Sequence, residues 1–173
     1  MTISILLVDD SEVIRFLFTK SLERDPELRV VATAGNGLEA IDMAKKHKPA
    51  VVLLDIEMPQ MDGLTALPRI LEVSPLSRII VISGNTHENV NAALDSLRLG
   101  AIEFVLKPGT QGASNTKEFN EELRQKIKAI SGTPNTALRP PAKAEPEKPA
   151  AAPTPAPRPP AAPEVKRPAP VAA

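Results

Sequence analysis

Three carboxylates, a hydroxyl and an ammonium stand in this chain where apolar runs end. Asp9 and Asp10 follow residues 3–8, Asp55 follows residues 50–54, Ser83 closes residues 78–83, and Lys107 follows residues 102–106. If the fold gathers the three carboxylates, they repel one another and raise a pKa unless a cation intervenes. Magnesium suits such a place, since it takes oxygen ligands, waters and one or two carboxylates together with phosphate. With a hydroxyl and an ammonium added, the set is equipped to transfer a phosphoryl group to a carboxylate and form an acyl phosphate. Taken singly, each residue has a plainer reading. Asp-Asp-Ser caps a helix, a serine after a strand makes a turn, and a lysine before a proline is a solvated loop residue.

The elements that must position these residues alternate along the chain. Residues 3–8 read as a strand, and the helix after it has Ser11 as N-cap, with Ile14, Leu17, Phe18 and Leu22 recurring at helical spacing. A second strand is expected over 28–32 and a second helix over 37–48. Residues 51–54 are continuously apolar, as a strand buried on both faces requires. A third helix over about 63–73 contains Pro68, which removes a backbone donor and predicts a bend or an early first turn. Residues 78–83 make strand four. Val90, Leu94 and Leu97 share a face of helix four, and residues 102–106 make strand five. Helix five, about 116–130, buries Phe119, Leu123, Ile127 and Ile130, with Gly132-Thr133-Pro134 as its stop.

Five strands alternating with five helices, joined by right-handed crossovers, make an α/β fold with a doubly wound parallel sheet. The flavodoxin-like order 2-1-3-4-5 is expected, and its ligands sit outside the C-terminal strand edges at the switch point. Strands one and three are then neighbours, and all five polar residues fall on one edge.

Composition divides the chain. Of its 19 prolines, 13 lie in residues 132–173, where Leu138, Val165 and Val171 are the only branched apolar residues. That stretch cannot bury enough surface to offset its ordering entropy, so a disordered, partly polyproline-extended linker or tail is expected. It carries six basic and three acidic residues, a balance of +3; residues 1–131 carry 15 and 18, a balance of −3. The whole chain is neutral, with 21 of each sign, so no nucleic-acid partner is expected. Without cysteine, disulfides and thiolate metal sites are excluded, and the lack of a secretory signal favours the cytoplasm. No apolar run has the length for membrane insertion.

The stretches Val8-Asp9-Asp10-Ser11, Leu54-Asp55-Ile56-Glu57-Met58-Pro59-Gln60-Met61-Asp62-Gly63 and Lys107-Pro108 resemble the response-regulator receiver domains of two-component signalling, over about residues 1–131. The resemblance implies that Asp55 accepts a phosphoryl group from the phosphohistidine of a histidine kinase. Asp10, Asp55 and the backbone carbonyl of Glu57 would then bind Mg2+, with Asp9 acting through water, and Ser83 and Lys107 would hold the phosphoryl oxygens. Phe104 occupies the family's aromatic switch position, whose plainer reading is a core residue of strand five. A cis Lys107–Pro108 bond is also implied. Residues 62–68, 99–108 and 119–130 are similar to the receiver of chemotaxis protein-glutamate methylesterases, and the proline-rich tail lies where that family's interdomain linker begins. Chemoreceptors and a C-terminal effector domain would then be partners. A serine hydrolase needs a nucleophile, a histidine and an orienting acid. His47 and His87, the only histidines, have no Gly-x-Ser partner, so these residues are not themselves the esterase. The alternative is a stand-alone single-domain regulator or phosphate sink.

Three other readings compete. Gly35-Asn36-Gly37-Leu38-Glu39-Ala40 fits the dinucleotide pattern, and Asp55 lies 20 residues beyond Gly35. That fingerprint belongs after the first strand, however, and Asp9-Asp10 there would repel a pyrophosphate. An aspartate-nucleophile phosphatase with Glu57 as acid lacks a substrate-selecting cap. The run Lys45-Lys46-His47-Lys48 suits the C-terminal end of a helix dipole.

Overall fold

The computed structural model describes residues 1–84, 89–108 and 113–132, apart from the side chains of residues 89, 90 and 113–115. Five strands alternate with five helices: β1 Ile3–Val8, α1 Glu12–Leu22, β2 Leu28–Ala34, α2 Gly37–His47, β3 Val51–Asp55, α3 Gly63–Val73, β4 Arg78–Ser83, α4 Asn89–Arg98, β5 Glu103–Leu106 and α5 Ala113–Ser131. All pairings are parallel, and the order is β2-β1-β3-β4-β5, the flavodoxin-like arrangement expected from the sequence. Asp55 is itself the last residue of β3, paired with Ile82 of β4.

Alternation along the strands divides the core in two. Leu6, Val8, Val52, Leu54, Ile79 and Val81 face α2 and α3 and pack with Ala40, Ala44, Ala66, Leu67 and Ile70. Ile5, Leu7, Val51, Leu53, Ile80 and Ile82 face the other way, onto Leu22 of α1 and Phe119, Leu123 and Ile127 of α5. Every residue of β3 is buried, which explains its unbroken apolar run. Each buried valine or leucine of the run contributes about 1.5–3 kcal/mol relative to exposure.

Four local expectations change. In α1, Leu17 is 57% exposed, and Arg15 takes an inward-facing place beside Ile14, Phe18 and Leu22. Helix α3 is continuous from Gly63, so Pro68 is its sixth residue and not part of its first turn. The fully buried Ala66, Leu67 and Ile70 around it hold the helix onto the sheet. In α4, Leu94 and Leu97 are exposed and Ser96 is buried; there Ser96 Oγ donates to the carbonyl of Ala93 at 2.8 Å. No cis peptide bond occurs among the described residues, so Lys107–Pro108 is trans, the form a proline amide favours by about 0.5–1 kcal/mol. His87, the side chain of Val90, the Thr133-Pro134 stop and the proline-rich stretch lie outside the described residues. Among those described, no helix is long and apolar enough to cross a membrane.

Candidate functional site

The C-terminal edges of β1, β3, β4 and β5 deliver the polar residues to one place. β1 is followed at once by Asp9, whose N–H still pairs with the carbonyl of Ala34 at 3.1 Å. Asp9 Oδ1 then accepts the Ser11 N–H at 2.9 Å, turning the chain into α1. Ser11 Oγ accepts the Ile14 N–H, the N-cap expected of it. From the far side of the sheet, the Lys107 N–H donates to the carbonyl of Ser83 at 2.8 Å, tying the ends of β4 and β5 together.

Lys107 is not a solvated loop residue. Its ammonium donates to Asp9 Oδ2 at 2.6 Å and to Asp55 Oδ2 at 2.8 Å. The lysine side chain is 18% exposed, and those of the two aspartates 3% and 6%. Asp10 stands exposed at the rim, and one carboxylate oxygen from each of Asp9, Asp10 and Asp55 lies within 4.8 Å of the others. Ser83 is buried at the end of β4. Phe104 is half-buried and packs against the α2–α3 side of the core. The Glu57 side chain is exposed just beyond Asp55.

The loop after β3 is held tightly around Asp55. The Gly63 N–H donates to the carbonyl of Ile56 at 2.9 Å, and a Cβ on Gly63 would collide with the Asp55 carbonyl oxygen, with Asp55 C at 2.9 Å. Glycine is needed there because backbone meets backbone. Asp62 caps α3, its Oδ1 accepting the Thr65 N–H at 2.7 Å.

Electrostatics distinguish the two carboxylate oxygens of Asp55. Burial pushes its carboxyl above the ordinary value, against the pull of Lys107, and the Asp9 charge pushes the same way. Burial would lower the Lys107 ammonium, but its bonds to Asp55 and Asp9 outweigh that and hold it high. Lys107 satisfies Asp55 Oδ2, the Glu57 N–H pulls weakly on the carboxylate, and the buried Oδ1 has no well-formed hydrogen bond. An orphaned buried acceptor is costly, and a hard cation beside it would remove the cost. Both Asp9 oxygens are already engaged, so Asp55 Oδ1 and Asp10 are the donors best placed for an oxygen-seeking ion. The donor set, oxygen alone, fits magnesium.

One neighbour had no place in the sequence reading: Arg15 Nη1 donates to the Asp9 carbonyl at 2.6 Å. Its sequence signal was a cation set between the apolar residues Ile14 and Phe16 of α1.

Residues 5–117 match the sequence pattern of the response regulator receiver domain. The chain is 44% identical over 137 residues to protein-glutamate methylesterase/protein-glutamine glutaminase 1 of Rhodospirillum rubrum, covering 79% of this chain and 35% of that protein. It is 40% identical over 152 residues to the second such protein of Pseudomonas aeruginosa, covering 88% and 42%. It thus spans about two fifths of the length of these relatives. Among solved structures, the response regulator domain of Thermotoga maritima CheB superposes with a TM-score of 0.70 at 33% identity, covering 78% of this chain and 99% of that one. A CheX-CheY-BeF3-Mg2+ complex from Borrelia burgdorferi gives 0.63 at 29% identity, covering 74% and 88%. With four strand edges converging on a lysine-bridged acidic cluster and the family pattern matching residues 5–117, the chain belongs to the response regulator receiver domains.

Proposed function

We propose that residues 1–131 form a phosphorylation switch in which Asp55 accepts a phosphoryl group from a histidine kinase, and that residues 132–173 are an extended linker. The observation that carries the reading is Lys107 bridging Asp9 and Asp55 while Asp55 Oδ1 is left without a partner. A buried carboxylate with one oxygen satisfied and the other open is prepared for a ligand rather than for stability.

In the transfer, an Asp55 carboxylate oxygen attacks phosphorus. The new O–P bond forms as the P–N bond to the donor imidazole breaks, and the imidazole leaves with the electron pair. Hydrolysis reverses the modification: water attacks phosphorus, the O–P bond breaks, and carboxylate and inorganic phosphate are released. Asp10, Asp55 and the Glu57 carbonyl would hold Mg2+ directly, with Asp9 through water. Magnesium, when bound, supplies positive charge against the carboxylates and the phosphoryl oxygens. Lys107 already sits between two anions, so one of its contacts can pass to a phosphoryl oxygen without a new charge being buried. Ser83, at the neighbouring strand end, would take another. Phe104 would turn inward as Ser83 moves, a two-state equilibrium biased by the phosphoryl contacts.

The output we infer is control of a protein-glutamate methylesterase in chemotaxis, because the 40–44% identical relatives carry that name over proteins more than twice this length. Chemoreceptors and a C-terminal effector domain would be the partners. An in-frame Gly-x-Ser, His and Asp set after Ala173 supports this output; a stop codon there supports a stand-alone regulator or phosphate sink instead. The switch itself is tested with acetyl phosphate and intact-mass spectrometry. Wild type should gain one phosphoryl group in the presence of Mg2+. Asp55→Ala should gain none and remain folded by circular dichroism; a variant that still takes the label refutes the assignment.

A further inference from the structure

A second cation approaches the acidic edge from the side opposite Lys107. Arg15 lies in the first turns of α1, 18% exposed, with Nη1 on the Asp9 carbonyl at 2.6 Å. Its nearest carboxylate, Glu12, is 3.8 Å away and 91% exposed, a surface pair of little energetic weight. The guanidinium also fills the space beside the β2–α2 turn, where a Cβ on Gly35 would come within 3.3 Å of Nη1. Packing alone does not call for an inward-facing cation bonded to a carbonyl, since an apolar side chain of similar volume is often neutral or better.

What the carbonyl belongs to matters more. The Asp9 C=O is one half of the peptide group that joins Asp9 to Asp10. Asp9 is otherwise anchored at its N–H by Ala34, at Oδ1 by the Ser11 amide and at Oδ2 by Lys107. With Arg15 on the carbonyl, the plane of the 9–10 peptide is fixed, and with it the direction in which Asp10 leaves the backbone. Asp10 is the exposed member of the acidic cluster, so its direction depends on that plane rather than on burial.

We propose that Arg15 is a positioning residue for divalent-cation binding, acting through the Asp9–Asp10 peptide; this rests on the magnesium reading above. The sign of its effect is informative. As a bare positive charge near the cluster, Arg15 opposes a cation, so its removal would tighten Mg2+ binding. As a positioning residue it favours the cation, so its removal weakens binding.

The test is an Mg2+ titration of the full chain followed by amide NMR shifts of Asp10 and Ser11, alongside thermal unfolding without metal. Arg15→Met, which keeps volume and loses both charge and hydrogen bond, should bind Mg2+ about 10-fold more weakly, the lower end of what outer-shell partners contribute to metal affinity. Its metal-free melting temperature should stay close to wild type. Arg15→Gln, neutral and too short to reach the carbonyl, should behave alike and serves if the methionine variant folds poorly. Unchanged or tighter binding in a folded variant overturns the proposal. A wild-type chain that binds no Mg2+ overturns the metal reading and takes this inference with it.

Discussion

Replacing Lys107 by methionine should destabilise the metal-free protein in a way that grows with pH. The substitution keeps an unbranched side chain of similar length and removes the ammonium bonded to Asp9 at 2.6 Å and Asp55 at 2.8 Å. Both carboxylates are almost fully buried, so the variant leaves two anions facing each other. Removing one partner from a buried ion pair typically costs about 3–5 kcal/mol, because the remaining charge is uncompensated. Protonation limits that loss. Starting from an ordinary value of 3.8, forcing a proton onto Asp55 costs about 1.4 kcal/mol per pH unit, which is about 4 kcal/mol at pH 7 and about 1.6 kcal/mol at pH 5.

The direction follows from proton binding. Burial raises the folded Asp55 carboxyl above its unfolded value, so its neutral form favours folding. That stability is present below the unfolded value and is lost as pH rises through the folded one. Lys107 pulls the other way, so its removal raises the folded value further and extends the window of loss upward. Lys107 itself is held above its ordinary 10.5 and does not titrate between pH 5 and 7. Urea unfolding followed by far-ultraviolet circular dichroism is the assay, since the chain has no tryptophan or tyrosine. The deficit relative to wild type should be about 3–4 kcal/mol at pH 7 and under about 2 kcal/mol at pH 5, with the slope against urea unchanged. Added MgCl2 should recover part of it, as any ligand of the folded state alone does. A deficit below about 1 kcal/mol at pH 7, or one equal at both pH values, would mean that the two anions are not buried against each other as described.

Two backbone devices around the site are open to the same kind of measurement. Gly63→Ala drives a Cβ into the Asp55 carbonyl; overpacking of this kind costs typically about 1–3 kcal/mol, and acceptance of phosphoryl from acetyl phosphate should slow beyond what the stability loss explains. Ser11→Ala removes the acceptor for the Ile14 amide at the start of α1 and should cost about 0.5–2 kcal/mol in urea unfolding, with acetyl phosphate labelling retained.

Legibility from sequence followed the nature of the signal. β1, β3 and β4 were readable because strands buried on both faces leave continuous apolar runs. Their order followed from the regular alternation with helices, and the site followed from the order. Of the residues expected on the buried face of α1, Ile14, Phe18 and Leu22 are turned inward and Leu17 is exposed; Val13, Ile14, Phe16, Leu17 and Phe18 crowd the helix with apolar side chains, so periodicity does not exclude Leu17 from the stripe. The same crowding hid Arg15, which stands at helical spacing before Phe18 and Leu22 but whose charge suggests solvent. Lys107 was placed correctly at an edge, but its reach was not legible. Its strand is separated from β3 by β4, about two strand spacings or roughly 9–10 Å, and only a long unbranched side chain lying across the edge closes that distance.

The devices at this edge oppose stability and serve binding, which separates the functional reading from a structural one. A fold built only to be stable would not end its most buried strand on a carboxylate with an orphaned oxygen, nor place two more carboxylates beside it. Local rules are broken together at one place and obeyed along the rest of β1, β3 and β4, the pattern expected where function overrides foldability. Lys107 reduces the conflict without ending it: it satisfies one Asp55 oxygen and leaves the other open. The metal-free domain therefore holds a local electrostatic penalty that a cation would relieve. Because relief favours the folded state, metal affinity and stability at this edge are two measurements of the same carboxylate repulsion, and a substitution that removes the Asp10 carboxylate, which Lys107 does not bridge, should raise the stability of the metal-free form while weakening its hold on magnesium.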